Sequence, residues 1–585
     1  MNPAAWAIAL FLLGNLLFAL RRKAADTTLS AAANPSSDYV LAGRKLGGLA
    51  LLATLAASNL SAFTIFGVPG AAYRSGWAFL PVMAFGTAFM AISFLTIGTP
   101  LRRLAAAGNW TTPAHFISAR SGSRLSGALF SLLSLLYTLP YLAVQTGAAG
   151  TLINQLTGLS RPLGAALVAA VIALYVLRGG LRSVARTDIV QLAALIGLGL
   201  SAFAIIAIQA GKSGIWQELA ADRAVPGPNA RSGLDGSQNM LVLAGYYLLW
   251  SLANPMFPHF IQRFYAARSD TALRRSFVLY PLVCLLIFFP MAAIGVLGAR
   301  IIPGLSPLAS DSIFSLLNVQ LAGPLWGPIF SIAALAALMS TMDSQLLSCS
   351  SILVEDFLPV RWRKVSVIGA AGVLLSVAAW MVSLRPPASI LGFLGSTAFP
   401  GYASLAPAAL AALYFPALYE RIQVRSKARW TALFPASIAG SLILGTFLVV
   451  LQAFGIKPAI PAVIFNALLQ SAVLLTGLLA YWLGNRRPAL QHTSSGTAAQ
   501  QTLQQIQQPD LRLLRTGALL AAIFLGLGLD WWNLSGTPRM LGVLPLWVWY
   551  HSILVVLMWL AFSFAARKLE EKAGAEAATV QPGAV

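Results

Sequence analysis

The sequence predicts an all-α polytopic membrane protein, and three observations carry that prediction. Hydrophobic residues make up 58% of the 585, and only 10% are charged, against about 25% charged in an ordinary soluble protein. Apolar runs of the roughly 20 residues that a bilayer-crossing helix needs recur along almost the whole chain. The charges collect between those runs. A soluble fold has no way to solvate so much Leu, Ala, Val, Ile and Phe, and the same composition excludes disorder, a collagen-like repeat and a disulfide scaffold. Cys284 and Cys349 both lie inside apolar runs, and His115, His259, His492 and His551 are widely spread, so no disulfide framework and no zinc or haem site is expected.

Read in order, the apolar runs give fifteen spans. The first, 4–20, has no basic residue before it and is followed by Arg21-Arg22-Lys23. That is the reverse of a secretory leader, so it reads as a retained helix with its N-terminus outside. Spans 48–66 and 77–98 follow, then 126–150, 162–178, 188–209 and 239–261. The segment 211–238, with its Gly, Pro, Asn and mixed charges, reads as an outside loop. Spans 275–299, 327–351, 365–383 and 388–414 complete ten consecutive crossings from 48 to 414, and 431–453, 459–483, 513–529 and 544–566 follow them.

The domain organisation follows from these spans. Residues 1–37 form an extra N-terminal helix with a cytoplasmic linker, 38–420 a core of ten helices, and 421–487 two additional helices. Residues 488–512, rich in Gln, Ser and Thr, are a polar cytoplasmic linker; 513–569 hold two C-terminal helices, and 570–585 a cytoplasmic tail.

Charge fixes the orientation. Of the 39 Lys and Arg residues, 30 fall in loops that this alternation makes cytoplasmic, among them Arg102, Arg103, Arg182, Arg263 and Arg429. Cytoplasmic loops carry such an excess as a rule. The net charge of +22 therefore reports topology, and no nucleic-acid partner is expected.

In hydrocarbon every ionisable or helix-breaking residue is costly and asks for a reason. Only two of the 17 acids come near the interior of a span. Asp188 stands at the start of span 188–209, where a helix dipole favours a carboxylate; Asp343 lies well within 327–351. Ser340, Asp343 and Ser344 share a helix face by their spacing, with Thr341 beside them. Such oxygens suit a hard cation that sheds its water; the alternative is that the hydroxyls merely bond carbonyls of the preceding turn. Two spans are interrupted, one by Ser58-Asn59-Leu60-Ser61 and then Gly67-Val68-Pro69-Gly70, the other by Asn254-Pro255-Met256-Phe257-Pro258. They are the first and sixth of the ten core spans, the arrangement expected of a transporter built from inverted five-helix repeats.

Several stretches resemble the sodium:solute symporter family. The most specific runs from Ala336 to Leu347 (AALMSTMDSQLL), supported by Gly179–Gln191, Gln262–Ser269 and Gly67–Gly76, in the family's order over roughly 38–420. The resemblance implies a leucine-transporter (LeuT) type fold of 5+5 inverted repeats. It also implies Na+ as coupling ion, held at a principal site by carbonyls of Ala57, Leu60 and Ala337 and hydroxyls of Ser340 and Thr341. A second sodium site would fall on Asp188, Ser340, Asp343 and Ser344. The substrate would lie among Ser58, Asn59, Tyr141, Gln145, Phe257 and Phe260, and Leu139–Gln145 looks like the pantothenate and monocarboxylate branch, which favours a small organic acid. No Lys or Arg is expected deep in a span to pair with that acid. The partners implied are the solute, sodium ions and the lipid bilayer of a bacterial inner membrane. Two rivals stand beside symport: a membrane-embedded solute sensor, and an intramembrane hydrolase using Ser340 and Asp343, for which no base lies in the same span.

Overall fold

The structure, a computed structural model, describes residues 3–20, 35–234, 239–385, 390–414, 433–456, 461–484, 511–531 and 537–579. The basic triplet Arg21–Lys23, the loop cations Arg421–Arg429, the linker 488–510 and the end of the tail lie outside the described residues. The predicted segments are mainly helical where they are described, with breaks at Leu60–Ser61 and Phe257 and a short strand at Leu544–Pro545 in place of a helix start. Among the described residues, ten helices are long and apolar enough to cross a membrane, or up to twelve if each of two bent pairs is one span, against the fifteen predicted. The chain is an integral membrane protein.

Both interrupted spans are broken as the sequence predicts. Gly48–Asn59 ends where Leu60 leaves helical geometry at φ −83°, ψ 87°. The chain turns by 57° before continuing from Phe63. In the second, Met240–Ala253 passes through a tight turn at Asn254–Met256 and an extended Phe257 into Pro258–Ala266, bent by 60°. A break in hydrocarbon must satisfy its own backbone. Here the Gln145 amide oxygen accepts from the Ala62 N–H at 2.8 Å, and the Phe63 N–H donates to Ser61 Oγ at 3.1 Å.

The largest departure from the predicted spans is at Arg161–Lys212, one 52-residue run with a break at Gly180. Gly180 has φ 54° and ψ −152°, a region that essentially only glycine occupies, and a Cβ there would meet the Tyr39 carbonyl at 2.4 Å. The second helix therefore starts just after Gly180, about two turns before Asp188. Asp188 is not a helix N-terminal carboxylate but a fully buried one. Arg182, which suggested a loop, lies on the first turn and pairs with Asp38 at 2.7 Å.

The long helix Ile313–Phe357 packs along Arg161–Lys212 and Arg124–Thr157, and Asp270–Ile301 packs on the first broken segment. Gly295 permits that last approach, since a Cβ there would lie 2.2 Å from the Pro69 carbonyl. The C-terminal helices Leu511–Gly528 and Leu546–Thr579 dock on the core. Phe562 stacks on Phe277 with centroids 4.2 Å apart, and Tyr247 donates to the Gly528 carbonyl at 3.0 Å.

Candidate functional site

The two breaks and the helix Ile313–Phe357 meet in the centre of the bundle. Ser340 Oγ donates to the carbonyl of Ala57 at 2.8 Å and approaches that of Ala337 at 3.0 Å. Thr341 Oγ1 lies 3.3 Å from the carbonyls of both Ser58 and Ala337. All of these residues are buried. Hydroxyls of one helix thus converge on carbonyls at the end of another, because the break at Leu60 removes the next turn that would otherwise use them. The hydroxyls bond back to their own turn at Ala337, as the alternative reading expects, and also across to the broken segment at Ala57 and Ser58. The donors are all hard oxygens in a dry setting, a set that fits a sodium ion. Leu60 stands at the break itself, with its backbone turned out of the helix.

One turn further along lies a second polar cluster. Ser344 Oγ touches Ser58 Oγ at 2.8 Å and donates to Asp343 Oδ1 at 3.2 Å. The Tyr175 hydroxyl donates to Asp343 Oδ2 at 2.8 Å. Asp188 accepts from Thr54, and its other oxygen has no hydrogen-bond partner among the described residues. In the middle of this cluster is Arg263, with no exposed surface, its guanidinium 3.7 Å from Asp188. It donates to Ser344 Oγ at 2.5 Å and to Thr54 Oγ1 at 3.1 Å.

This corrects two expectations. Arg263 is not a loop cation, and a basic residue does stand deep in the bundle, where it faces carboxylates of the protein itself. Pro258 starts its helix only after the break, which draws the following two turns, Arg263 included, into the interior.

Beside the breaks is a chamber lined by Asn59, Thr64, Thr87, Asn254 and the rings of Phe63, Tyr141, Trp250, Phe257, Phe288 and Phe399. It is closed down to about 10 Å³, roughly the room for one water. Asn59, Tyr141 and Phe257 were expected at the substrate; Asn59 donates to the Tyr280 hydroxyl at 2.6 Å and Tyr141 to Ser61 Oγ at 2.9 Å. Gln145 does not line the chamber: it binds the Ala62 N–H at the first break, next to the lining residue Phe63, and its amide nitrogen has no partner among the described residues. Phe260 packs edge-on to Phe257 but does not line the chamber. Ser58 turns away from it, to Ser344.

A wider cavity of about 500 Å³ opens above, lined by Phe66, Gly147, Thr151, Arg161, Asp311 and Arg385 among others. Asp311, in the loop at its rim, pairs with Arg74 at 3.0 Å and accepts from the Ile390 N–H at 2.8 Å. Burial pushes its carboxyl above the usual range, against the pull of those two partners. The opposite end is tied shut. Leu46 N–H donates to the Ala266 carbonyl at 3.1 Å, Arg268 N–H to the Leu46 carbonyl at 2.9 Å, and Arg44 to the Trp110 carbonyl at 2.9 Å. Arg102 and Arg103 hold Asp270 at 2.6 and 2.8 Å.

The profile of the family described as Sodium:solute symporter family matches residues 39–426. The chain belongs to that family. It is a sodium-coupled solute symporter, with Na+ as the coupling ion, and not an enzyme. The Sodium/pantothenate symporter of Escherichia coli (strain K12) is 27% identical over 81% of this chain and 93% of its own length. The Osmoregulated proline transporter OpuE of Bacillus subtilis (strain 168) is 30% identical over 66% of this chain and 80% of its own. Among solved structures, a substrate-bound outward-open Na+-coupled sialic acid symporter superposes with a TM-score of 0.61 at 17% identity, over 84% of this chain and all of that one. The last likeness shows a shared fold, the one the inverted-repeat reading predicts.

Sequence reasoning missed Arg263, Tyr175 and Thr54 in the polar cluster, and Phe63, Trp250, Phe288 and Phe399 in the chamber. Pro258 was the available signal for Arg263. The aromatic residues had none, being hydrophobic residues in a hydrophobic chain.

Proposed function

We propose that this symporter imports a small organic acid with sodium across a bacterial inner membrane by alternating access. The observation that carries the reading is the convergence of Ser340 and Thr341 on carbonyls at the first break, 2.8 to 3.3 Å away. With Leu60 they make the principal sodium site: Ala57, Leu60 and Ala337 through carbonyls, Ser340 and Thr341 through hydroxyls. The set Asp188, Asp343 and Ser344 is built to hold one further positive charge. The solute lies in the chamber at Asn59, Tyr141 and Phe257, with the Gln145 amide nitrogen as a spare donor for a carboxylate oxygen. The pantothenate symporter among the relatives supports an acid, since pantothenate is one. The wide cavity is the outer entrance, and the Leu46 bonds to Ala266 and Arg268, with the Arg44 and Asp270 contacts, are the inner closure.

Fifteen crossings, with the N-terminus outside, complete the reading. Reporters fused at Lys572 and in the loop at Arg223 test it: the first belongs in the cytoplasm, the second outside. An external signal at Lys572 would overturn the orientation. For the solute site, Asn59→Ala is expected to raise the solute KM about tenfold, the loss of roughly one hydrogen bond. Sodium half-saturation should stay within about twofold. An unchanged solute KM would remove Asn59 from the site.

A further inference from the structure

Two carboxylates, Asp188 and Asp343, and one guanidinium, Arg263, share a fully buried cluster. We propose that Arg263 is a tethered cation that takes the place of a second sodium ion, so that the symporter binds and couples one sodium and not two. The inference rests on the sodium-symport reading above.

Two of the oxygens a second ion would need, Ser344 Oγ and Asp188 Oδ2, already face Arg263. Its Nη2 lies 2.5 Å from Ser344 Oγ and 3.7 Å from Asp188 Oδ2, and its Nε lies 3.1 Å from Thr54 Oγ1. The Nη1 group is anchored on its own helix, on the His259 carbonyl at 3.2 Å. A sodium ion bound to Ser344 and Asp188 at ordinary ligand distances would press against the guanidinium and be repelled by it. The principal site draws on different oxygens, those of Ser340, Thr341 and the carbonyls at the first break, and stays free of this contact.

Charge points the same way. The guanidinium already supplies the positive charge that faces Asp188, 3.7 Å away. A second sodium in contact with Ser344 and Asp188 would stand beside that cation in a dry interior, where like charges repel strongly. Asp188 keeps one oxygen without a hydrogen-bond partner among the described residues. That oxygen becomes a ready ligand once the guanidinium is gone.

Equilibrium binding of radioactive sodium alone to the purified full-length chain tests this, with no need to know the solute. At sodium concentrations that just saturate wild type, wild type should bind one ion per chain and the Ser340→Ala/Thr341→Ala double variant almost none. Arg263→Gln, which removes the tethered charge but keeps hydrogen bonding, should bind two. Arg263→Lys, which keeps the charge, should bind one. Two ions on wild type would overturn the proposal, as would one ion on a folded Arg263→Gln. If Arg263→Gln fails to fold, the wild-type count decides alone. No binding to wild type at all would instead refute the sodium site on which the inference stands.

Discussion

Replacing Ser340 and Thr341 together by alanine is expected to raise the sodium concentration for half-maximal uptake about 100-fold. Each hydroxyl stands in for a water on the ion, and a hydrogen-bond-strength contact to a charged group contributes about 1.5 kcal/mol or more. Losing two such contacts costs roughly 3 kcal/mol, or two factors of ten in affinity. The fold should tolerate the change, because among the described residues the hydroxyls otherwise bond only to carbonyls of Ala57, Ser58 and Ala337. Sodium titration of uptake by the purified double variant in liposomes measures it. Unchanged sodium activation would remove these residues from the ion site.

Asp188→Ala is expected to be the most damaging single change to stability. It leaves Arg263 buried without its ion-pair partner, 3.7 Å away in the intact protein. Breaking a buried pair from one side costs about 3–5 kcal/mol, since the remaining charge stays desolvated. The double variant Asp188→Ala/Arg263→Met removes both charges and should regain most of that loss. Thermal unfolding of wild type, both single variants and the double variant closes the cycle. An Asp188→Ala protein as stable as wild type would show that the pair contributes nothing. Additive losses in the double variant would show that the two residues act separately.

The helical architecture was legible because a bilayer dictates span length and backbone satisfaction so strictly. The broken segments were legible for a related reason: the polar run Ser58-Asn59-Leu60-Ser61 in the first and the paired Pro255 and Pro258 in the second stand where an ordinary span would be apolar and regular. The spacing of Ser340, Asp343 and Ser344 on one face singled out three residues that lie together in the buried centre of the bundle, while the carbonyls proposed beside them came only from the family resemblance. The depth of Asp188 was hidden by Gly180, whose break lets a helix start where arginines suggested a loop. Arg263 was hidden because counting basic residues near span ends does not separate a cation facing water from one facing the bundle interior. Tyr175 meets Asp343 across 168 residues of sequence, a contact no local pattern encodes. Ser58 and Asn59 show the limit of local reading most sharply. Neighbours on a helix point about 100° apart, so Asn59 reaches the chamber while Ser58 faces Ser344.

The central claim is that sodium entry drives solute entry through this chain. Its most direct test is uptake into liposomes holding the purified protein, with the membrane potential clamped at zero and sodium imposed outside only. A panel of radiolabelled small carboxylates, pantothenate first among them, with proline, a sugar and a nucleobase as comparison, covers the solute classes. Transient accumulation of a carboxylate above its outside concentration is predicted, vanishing when sodium is equal on both sides or replaced by choline. Uptake that proceeds equally without a sodium gradient, or binding of a solute with no accumulation of any, would contradict the account.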